Sequence, residues 1–517
     1  MKPRHVTRFG GPPIALVVAV FCIAILVSVA SPAISAPHYG GTLRTAHEIR
    51  VMGFDAVKAR AFISAGRVAS NLVMEKLFER SADDTLIPAL GLSATPSEND
   101  TVWTIVLRQG VSFHDGTPFT ADAVVAHWQR LLDPKNRFRE GLLLKPITSV
   151  EKMDEYTVRF VLAHPWKPFT GVLTNPASFT ALIPSPTAVA NDTQNHHPVG
   201  TGPFVFKEWK TGDRVVVTRN PDYWQQGRPY LDSVVLRIIT DHESRYAALI
   251  SGEVDVMVTD RPTHVKKLEN HKGYTIRPLN FRGAGVLVLN TTKPPLDDPR
   301  VRRALAHGWD QKKYIAASFK NIMPYVEDWY GDALACSDVG YLSPDPVKAR
   351  ALLAEYGKPI KLEYVHSATN RGREAGIILQ QMMKGIGVEV VPVPSDFSGI
   401  MKRMFSKQFD IASWVIRGGY DMGPMTMAWL HSKSPRNLSR YANDAVDQLL
   451  FKQQSSNDPV ERAQDLCTVA RTVNADAPFL YLFGRTYYLV HRNNVMGAQL
   501  SVLGEEGGRI TDAWIQP

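Results

Sequence analysis

Signatures of chemistry are scarce in this chain. Three cysteines in 517 residues leave no Cys-x-x-Cys pair for a metal knuckle or a thiol redox site. The sequence also lacks a His-Glu-x-x-His helix, a Gly-x-Ser-x-Gly elbow and a phosphate loop ending in Gly-Lys-Ser/Thr, so zinc-protease, hydrolase and nucleotide-triphosphate chemistry have no nominated residues. Gly200-Thr201-Gly202 is short of a third glycine and leads into a strand, which rules it out as a dinucleotide loop. His196-His197 is the only adjacent histidine pair and has no Cys, Asp or Glu at ligand spacing, so it reads as a solvated loop. One-sided charge is missing too. Against 59 basic residues stand 50 acidic ones, the basic residues are scattered, and no basic stripe interleaved with aromatics occurs. That disfavours nucleic acid as a partner.

Long apolar runs are confined to the start. Lys2, Arg4 and Arg8 precede an uncharged stretch over 14–30, followed by Ser31-Pro32-Ala33-Ile34-Ser35-Ala36. This is the layout of a secretory leader over residues 1–35, cut before Ala36 at the Ala33-x-Ser35 signature. An uncleaved anchor helix is the alternative, since the run approaches the length that spans a bilayer. Phe21 before Cys22 does not fit a lipidation signal, which wants a small residue there. Loss of the leader removes three basic and no acidic residues, lowering the formal charge from +9 to +6. Export would place Cys336 and Cys467 in an oxidising compartment, where they either pair or remain two separate buried thiols.

What is present is a long globular chain with material for two or three lobes. A glycine turn at Gly40-Gly41 feeds a strand, a helix is expected over 66–78, and 102–108 alternates like a half-buried strand. Thr120 is placed to cap a helix whose Val124, Trp128 and Leu131 share one stripe. Residues 204–206 and 215–217 flank Lys210-Thr211-Gly212-Asp213 as a hairpin. From about Gly285 the rhythm becomes strand, helix, strand: 286–289, a helix opened by Asp298-Pro299, another opened by Asp345-Pro346 and closed by Gly357, then 361–365, 372–386, 388–393, 396–405 and 409–415. That grammar predicts an α/β architecture with a mostly parallel sheet and ligand chemistry in the loops after Val365 and Val415.

Several segments in order resemble family 5 of the bacterial extracellular solute-binding proteins, the dipeptide, oligopeptide and nickel-chelate binders. They are Leu86-Ile87-Pro88-Ala89-Leu90; Trp103 to Gly110 running into Phe113-His114-Asp115-Gly116; Pro198-Val199-Gly200-Thr201-Gly202-Pro203-Phe204; Asn220-Pro221-Asp222-Tyr223-Trp224; and Leu289-Asn290 through Asp298-Pro299-Arg300-Val301-Arg302-Arg303. The resemblance implies the two-lobe periplasmic-binding-protein fold of cluster C type, with an extra subdomain in the first lobe. Lobe I would take 36–75, 200–277 and 486–517, its subdomain 76–199, and lobe II 278–485. It further implies a monomer in the periplasm that captures a peptide-like or anionic small solute by hinge closure and hands it to inner-membrane ABC permease subunits, with no cofactor and no catalytic residue. Most of the shared motif residues read as scaffold.

For ligand contact the resemblance points to Ser413-Trp414-Val415-Ile416-Arg417-Gly418-Gly419-Tyr420-Asp421. Peptide binders carry an aspartate three residues after the tryptophan; this chain has Arg417 there. Tyr420-Asp421 partly matches the Tyr-Asp-Pro of nickel-chelate binders. Trp414 is expected in the cleft wall. Arg371 and Arg373 follow a strand at a helix start, and Arg137 and Arg139 resemble the Asn-Arg-x-Arg of nickel-chelate binders. Each of these arginines is equally readable as solvated surface. The competing functions are metal-chelate capture, with His431 as an axial donor, and a periplasmic enzyme or sensor on the same scaffold.

Overall fold

The computed structural model describes residues 36–59, 64–80, 85–138, 140–175, 178–331, 334, 336–418, 421–497 and 512–517. The expected leader lies outside them, as do Arg139 and Tyr420. Among the described residues no helix is long and apolar enough to cross a membrane.

Ten strands form one sheet. From one edge they run Phe204–Lys210, Arg214–Arg219, Ser233–Ile238, Thr42–His47, Val256–Thr259, Phe479–Arg492, Tyr274–Leu289, Ile411–Arg417, Ile360–Ser367 and Val388–Ser395. The pairing is mixed rather than mostly parallel. Thr42–His47 is parallel to Ser233–Ile238 and Val256–Thr259, and Ile360–Ser367 is parallel to Val388–Ser395 and Ile411–Arg417. The two parallel groups are joined by antiparallel pairing through Tyr274–Leu289 and Phe479–Arg492. The expected change of rhythm at Gly285 therefore falls inside a 16-residue strand. Phe479–Arg492 pairs with the first group through its last residues, while Tyr274–Leu289 pairs with the second through 283–289. Between those contacts the two long strands hold only each other, and their register slips after Phe281 and again after Gly285.

Alternation in the long strand distributes the core. Leu287 and Leu289 enter an apolar cluster with Leu362, Tyr364, Leu379 and Met383, while Ala284, Val286 and Val288 enter one with Ile416, Met422, Val446 and Phe479. The first parallel group has its own cluster around Leu43, Leu72, Val217 and Leu236. A separate four-stranded antiparallel sheet, in the order Gly91–Ser97, Val102–Leu107, Thr157–Leu162 and Ile147–Asp154, packs against helix Ala121–Leu132 through Val124, Trp128 and Leu131. Thr120 holds the capping position of that helix without a side-chain capping bond.

The helix expected over 66–78 is Ser64–Val73. Its last carbonyl is taken by a distant segment: Gly202 N–H donates to the Val73 carbonyl at 2.9 Å. A Cβ on Gly200 would sit 2.3 Å from the Val73 oxygen, and one on Gly202 would sit 2.5 Å from that of Leu72, so both positions require glycine. Beyond the helix, Glu75–Lys76 pairs with Leu182–Ile183. Pro299, Pro346 and Pro459 each open a helix behind an aspartate that accepts an N–H of the first turn. Cys336 and Cys467 are bonded to each other, closing a loop of 131 residues.

Candidate functional site

The shared motif segments converge on a joint. His114 Nε2 meets the Gly202 carbonyl at 2.9 Å, and Asn220 Nδ2 donates to the same oxygen at 3.1 Å. The Asp115 carboxylate accepts from Ser185 Oγ and from Thr117 N–H, closing the turn at Gly116, whose φ is +81°. At the centre is Glu75, which sequence reasoning passed over. Tyr223 OH donates to one carboxylate oxygen at 2.7 Å, and Trp224 Nε1 and Thr201 Oγ1 donate to the other, each at 2.8 Å. Burial outweighs these three bonds and pushes the carboxyl up to about 7. The motif residues thus hold strand, loop and helix together.

The candidate contacts gather elsewhere, at the carboxyl ends of the parallel strands. Ile360–Ser367 and Ile411–Arg417 are adjacent and parallel, so the loops after them leave the same edge of the sheet. Trp414 is half-buried against the cluster of Val286 and Met422 and faces Val286 across the ladder. Arg417 ends its strand opposite Gly283. Gly283 has φ +115°, and a Cβ there would lie 2.2 Å from the Ile416 carbonyl oxygen. Gly418 N–H donates to the Arg282 carbonyl at 2.9 Å. These two glycines bring the loop against the long strand at its register slip, with the Arg417 side chain half-buried. Arg282, exposed on that strand beside Gly418, is a neighbour that only the three-dimensional pairing identifies.

Asp421 caps helix Met422–Leu430. Its Oδ1 accepts Gly423 N–H at 2.8 Å, and its Oδ2 accepts Arg462 Nη2 at 2.6 Å. Arg462 is held in turn by the Gln453 carbonyl at 2.7 Å. The charge of Asp421 is therefore matched from within the chain, so a ligand ammonium would compete with a guanidinium. Arg371 and Arg373 sit in the first turn of helix Asn370–Lys384. Arg373 is exposed and donates to the Ala368 carbonyl at 2.8 Å, and Arg371 reaches Asp260 at 2.6 Å. Arg137 is exposed at a left-handed turn with φ +47°. Trp414 and Arg417 lie on one strand and Asp421 caps the helix that follows it, Arg371 and Arg373 share the neighbouring strand end, and Arg137 stands on a surface turn.

His431 is poorly placed as a metal donor. Its Nδ1 accepts the Lys433 N–H at 3.1 Å, leaving Nε2 to carry the proton 4.0 Å from the Asp447 carboxylate. Among the described residues no group of three or more His, Cys, Asp or Glu could hold a metal ion.

Two further contacts join the four-stranded sheet region to the helices after Ile411–Arg417. Trp166 Nε1 donates to Gln454 Oε1 at 2.8 Å, with both residues buried, and Lys167 N–H donates to the Gln454 carbonyl at 3.0 Å.

Comparison with known proteins gives one family. Residues 85–437 match the profile of the bacterial extracellular solute-binding proteins, family 5 Middle. A curated relative, the di/tripeptide-binding protein 2 of Pseudomonas aeruginosa (strain UCBPP-PA14), is 29% identical, with 97% of this chain and 98% of that protein aligned. The glutathione-binding protein GsiB of Shigella flexneri serotype 5b (strain 8401) is 27% identical over 85% of this chain and 88% of its own length. In three dimensions the ABC transporter-associated periplasmic binding protein DppA from Helicobacter pylori, solved with the peptide STSA, superposes with a TM-score of 0.81 at 24% identity, covering 93% of this chain and 99% of that one. The fold is accordingly the α/β two-lobe binding-protein fold.

Proposed function

The chain belongs to family 5 of the bacterial extracellular solute-binding proteins, and from that premise we propose that it is the periplasmic receptor of an ABC importer for a peptide-like or other small solute bearing an anionic group. It performs no chemistry of its own. Residues 1–35 act as a cleaved leader, and the exported chain works as a monomer that delivers its cargo to inner-membrane permease subunits. Lobe I comprises 36–75, 200–277 and 486–517, with 76–199 as its subdomain, and lobe II comprises 278–485. The lobes swing about Tyr274–Leu289 and Phe479–Arg492, the two strands that cross between the halves of the sheet. Relatives named for dipeptides, tripeptides and glutathione support the size and the peptide-like character of the solute.

The observation that carries the anionic preference is the pairing of charges around the loop. Asp421 is matched by Arg462, so an incoming ammonium competes there with a guanidinium, and Arg417 stands half-buried at the end of the preceding strand. A carboxylate there bonds bidentately to a guanidinium, and an ammonium meets like charge. Trp414 and Asp421 flank the same loop, and family likeness nominates Tyr420, Arg373, Arg137 and Arg139 as further contacts, of which Arg373 and Arg137 are exposed. Native mass spectrometry of protein purified without refolding tests the proposal. One small anionic or zwitterionic molecule per chain, recovered chemically unchanged, supports it. A turned-over product indicates an enzyme, and a metal chelate indicates the nickel-type alternative.

A further inference from the structure

Arg371 does not wait for a solute. Its Nη1 lies 2.6 Å from Asp260 Oδ2, with the two side chains 26% and 21% exposed. Asp260 directly follows strand Val256–Thr259, in the first parallel group of the sheet, and Arg371 follows Ile360–Ser367, in the second. The guanidinium also lies 4.9 Å over the Phe319 ring, which belongs to the core of the second group. The pair therefore spans the two halves, which among the described residues are joined in the sheet through Tyr274–Leu289 and Phe479–Arg492.

Further charges surround the bridge. Arg261 Nε stands 3.5 Å from Asp260 Oδ1, and Arg245 reaches Glu48 at 3.1 Å while donating to the Ile239 and Thr240 carbonyls. Burial pushes the Asp260 carboxyl up, but the charge and hydrogen bond of Arg371, with help from Arg261, overcome it and hold the group below the usual aspartate range. Arg261 lies beside Asp260 on the same half, so the carboxylate keeps a partner whichever way the halves move. For Arg371 the charge and hydrogen bond of Asp260 outweigh burial and hold the guanidinium above its usual range.

We propose that Asp260 and Arg371 form a clasp that draws the two lobes together without solute, setting how much of the protein is already closed before it meets its cargo. The inference rests on the hinge-closure reading above but not on the identity of the solute. Opening must break the bridge and return Arg371 to water. Because both groups are partly exposed and Arg261 stays with Asp260, the bridge biases the equilibrium without locking it. A bias toward closure raises apparent solute affinity, since a receptor already in its binding-competent form loses less on binding.

The test needs no ligand. Fluorophores placed on the exposed positions of Lys266→Cys and Lys384→Cys, one on each half, report opening by single-molecule energy transfer in the solute-free mature chain with its native disulfide intact. Asp260→Asn and Arg371→Gln should each lower the closed-to-open ratio by about five- to tenfold. Arg371→Lys, which keeps the charge, should stay within about twofold of the parent. The double variant Asp260→Asn/Arg371→Gln should fall no further than either single one, because the two act through one contact. If Asp260→Asn does not fold, the contrast between Arg371→Gln and Arg371→Lys carries the same decision. Unchanged ratios in the single variants, or effects that multiply in the double, overturn the clasp. An arginine that serves only the solute would leave these solute-free ratios unmoved, so failure of the clasp and failure of the solute assignment are separate outcomes.

Discussion

Glu75 accepts the indole N–H of Trp224 at 2.8 Å, with Thr201 Oγ1 on the same oxygen and Tyr223 OH on the other. All three donors are neutral, so nothing in that first layer offsets the charge of the ionised carboxylate. Its acidity is displaced up to about 7, burial being the main cause. The folded chain thus holds a proton that the unfolded chain releases near 4.5, and stability falls as pH rises from about 4.5 to 7. Part of the residue reaches solvent, which trims the loss to about 2 kcal/mol. Glu75→Gln keeps the shape and can donate to Tyr223 OH. We expect it to be the more stable form at pH 8 and to flatten that pH dependence in urea titrations; equal slopes for both proteins would show that Glu75 is ionised throughout.

Glycine at 283 is required for two reasons at once, its φ of +115° and a Cβ position 2.2 Å from the Ile416 oxygen. Gly283→Ala should cost about 2–4 kcal/mol. Gly116→Ala is the control: its φ is +81°, with nothing within 4 Å of the added carbon, and it should cost only about 1 kcal/mol. Urea unfolding midpoints of the two variants distinguish crowding at the crossing strands from left-handed strain alone.

The Cys336–Cys467 bond closes a loop of 131 residues. Replacing both cysteines with serine should lower stability by about 2–5 kcal/mol, and dithiothreitol should bring the parent protein to the same midpoint. A midpoint insensitive to reductant would mean the bond does not form in solution.

Arg417→Ala should cost about 2–5 kcal/mol in solute affinity if closure buries the guanidinium against an anionic group. Arg137→Ala, on an exposed turn, should cost less than about 0.5 kcal/mol. Calorimetry with the solute recovered from the native protein gives both values. A loss confined to Asp421→Ala, with a cationic solute, would transfer the contact to Asp421.

Local signals in the sequence reached far into the fold. Proline after aspartate marked the starts of Pro299–Gly308 and Pro346–Tyr356, and alternation marked Val102–Leu107, because caps and pleats are short-range chemistry. The end of Ser64–Val73 was missed because the group that takes its last carbonyl, Gly202 N–H, comes from more than a hundred residues away. The mixed pairing of the sheet was missed for the same reason: a strand's direction relative to its neighbours depends on which distant strand it meets. For the candidate site, the loop bearing Trp414, Arg417 and Asp421 is nominated by family likeness alone. The partners that decide its electrostatics, Arg462 for Asp421 and Asp260 for Arg371, were not legible, since ion pairs across 41 and 111 residues leave no spacing to read.

Closure around a captured solute is the central claim, and small-angle X-ray scattering of the mature chain tests it most directly. With saturating solute the radius of gyration should fall and the scattering should match an arrangement in which Trp166 meets Gln454 and Arg371 meets Asp260. A radius that stays constant from solute-free to saturated protein, with binding verified by calorimetry in the same buffer, would contradict a hinged clamp.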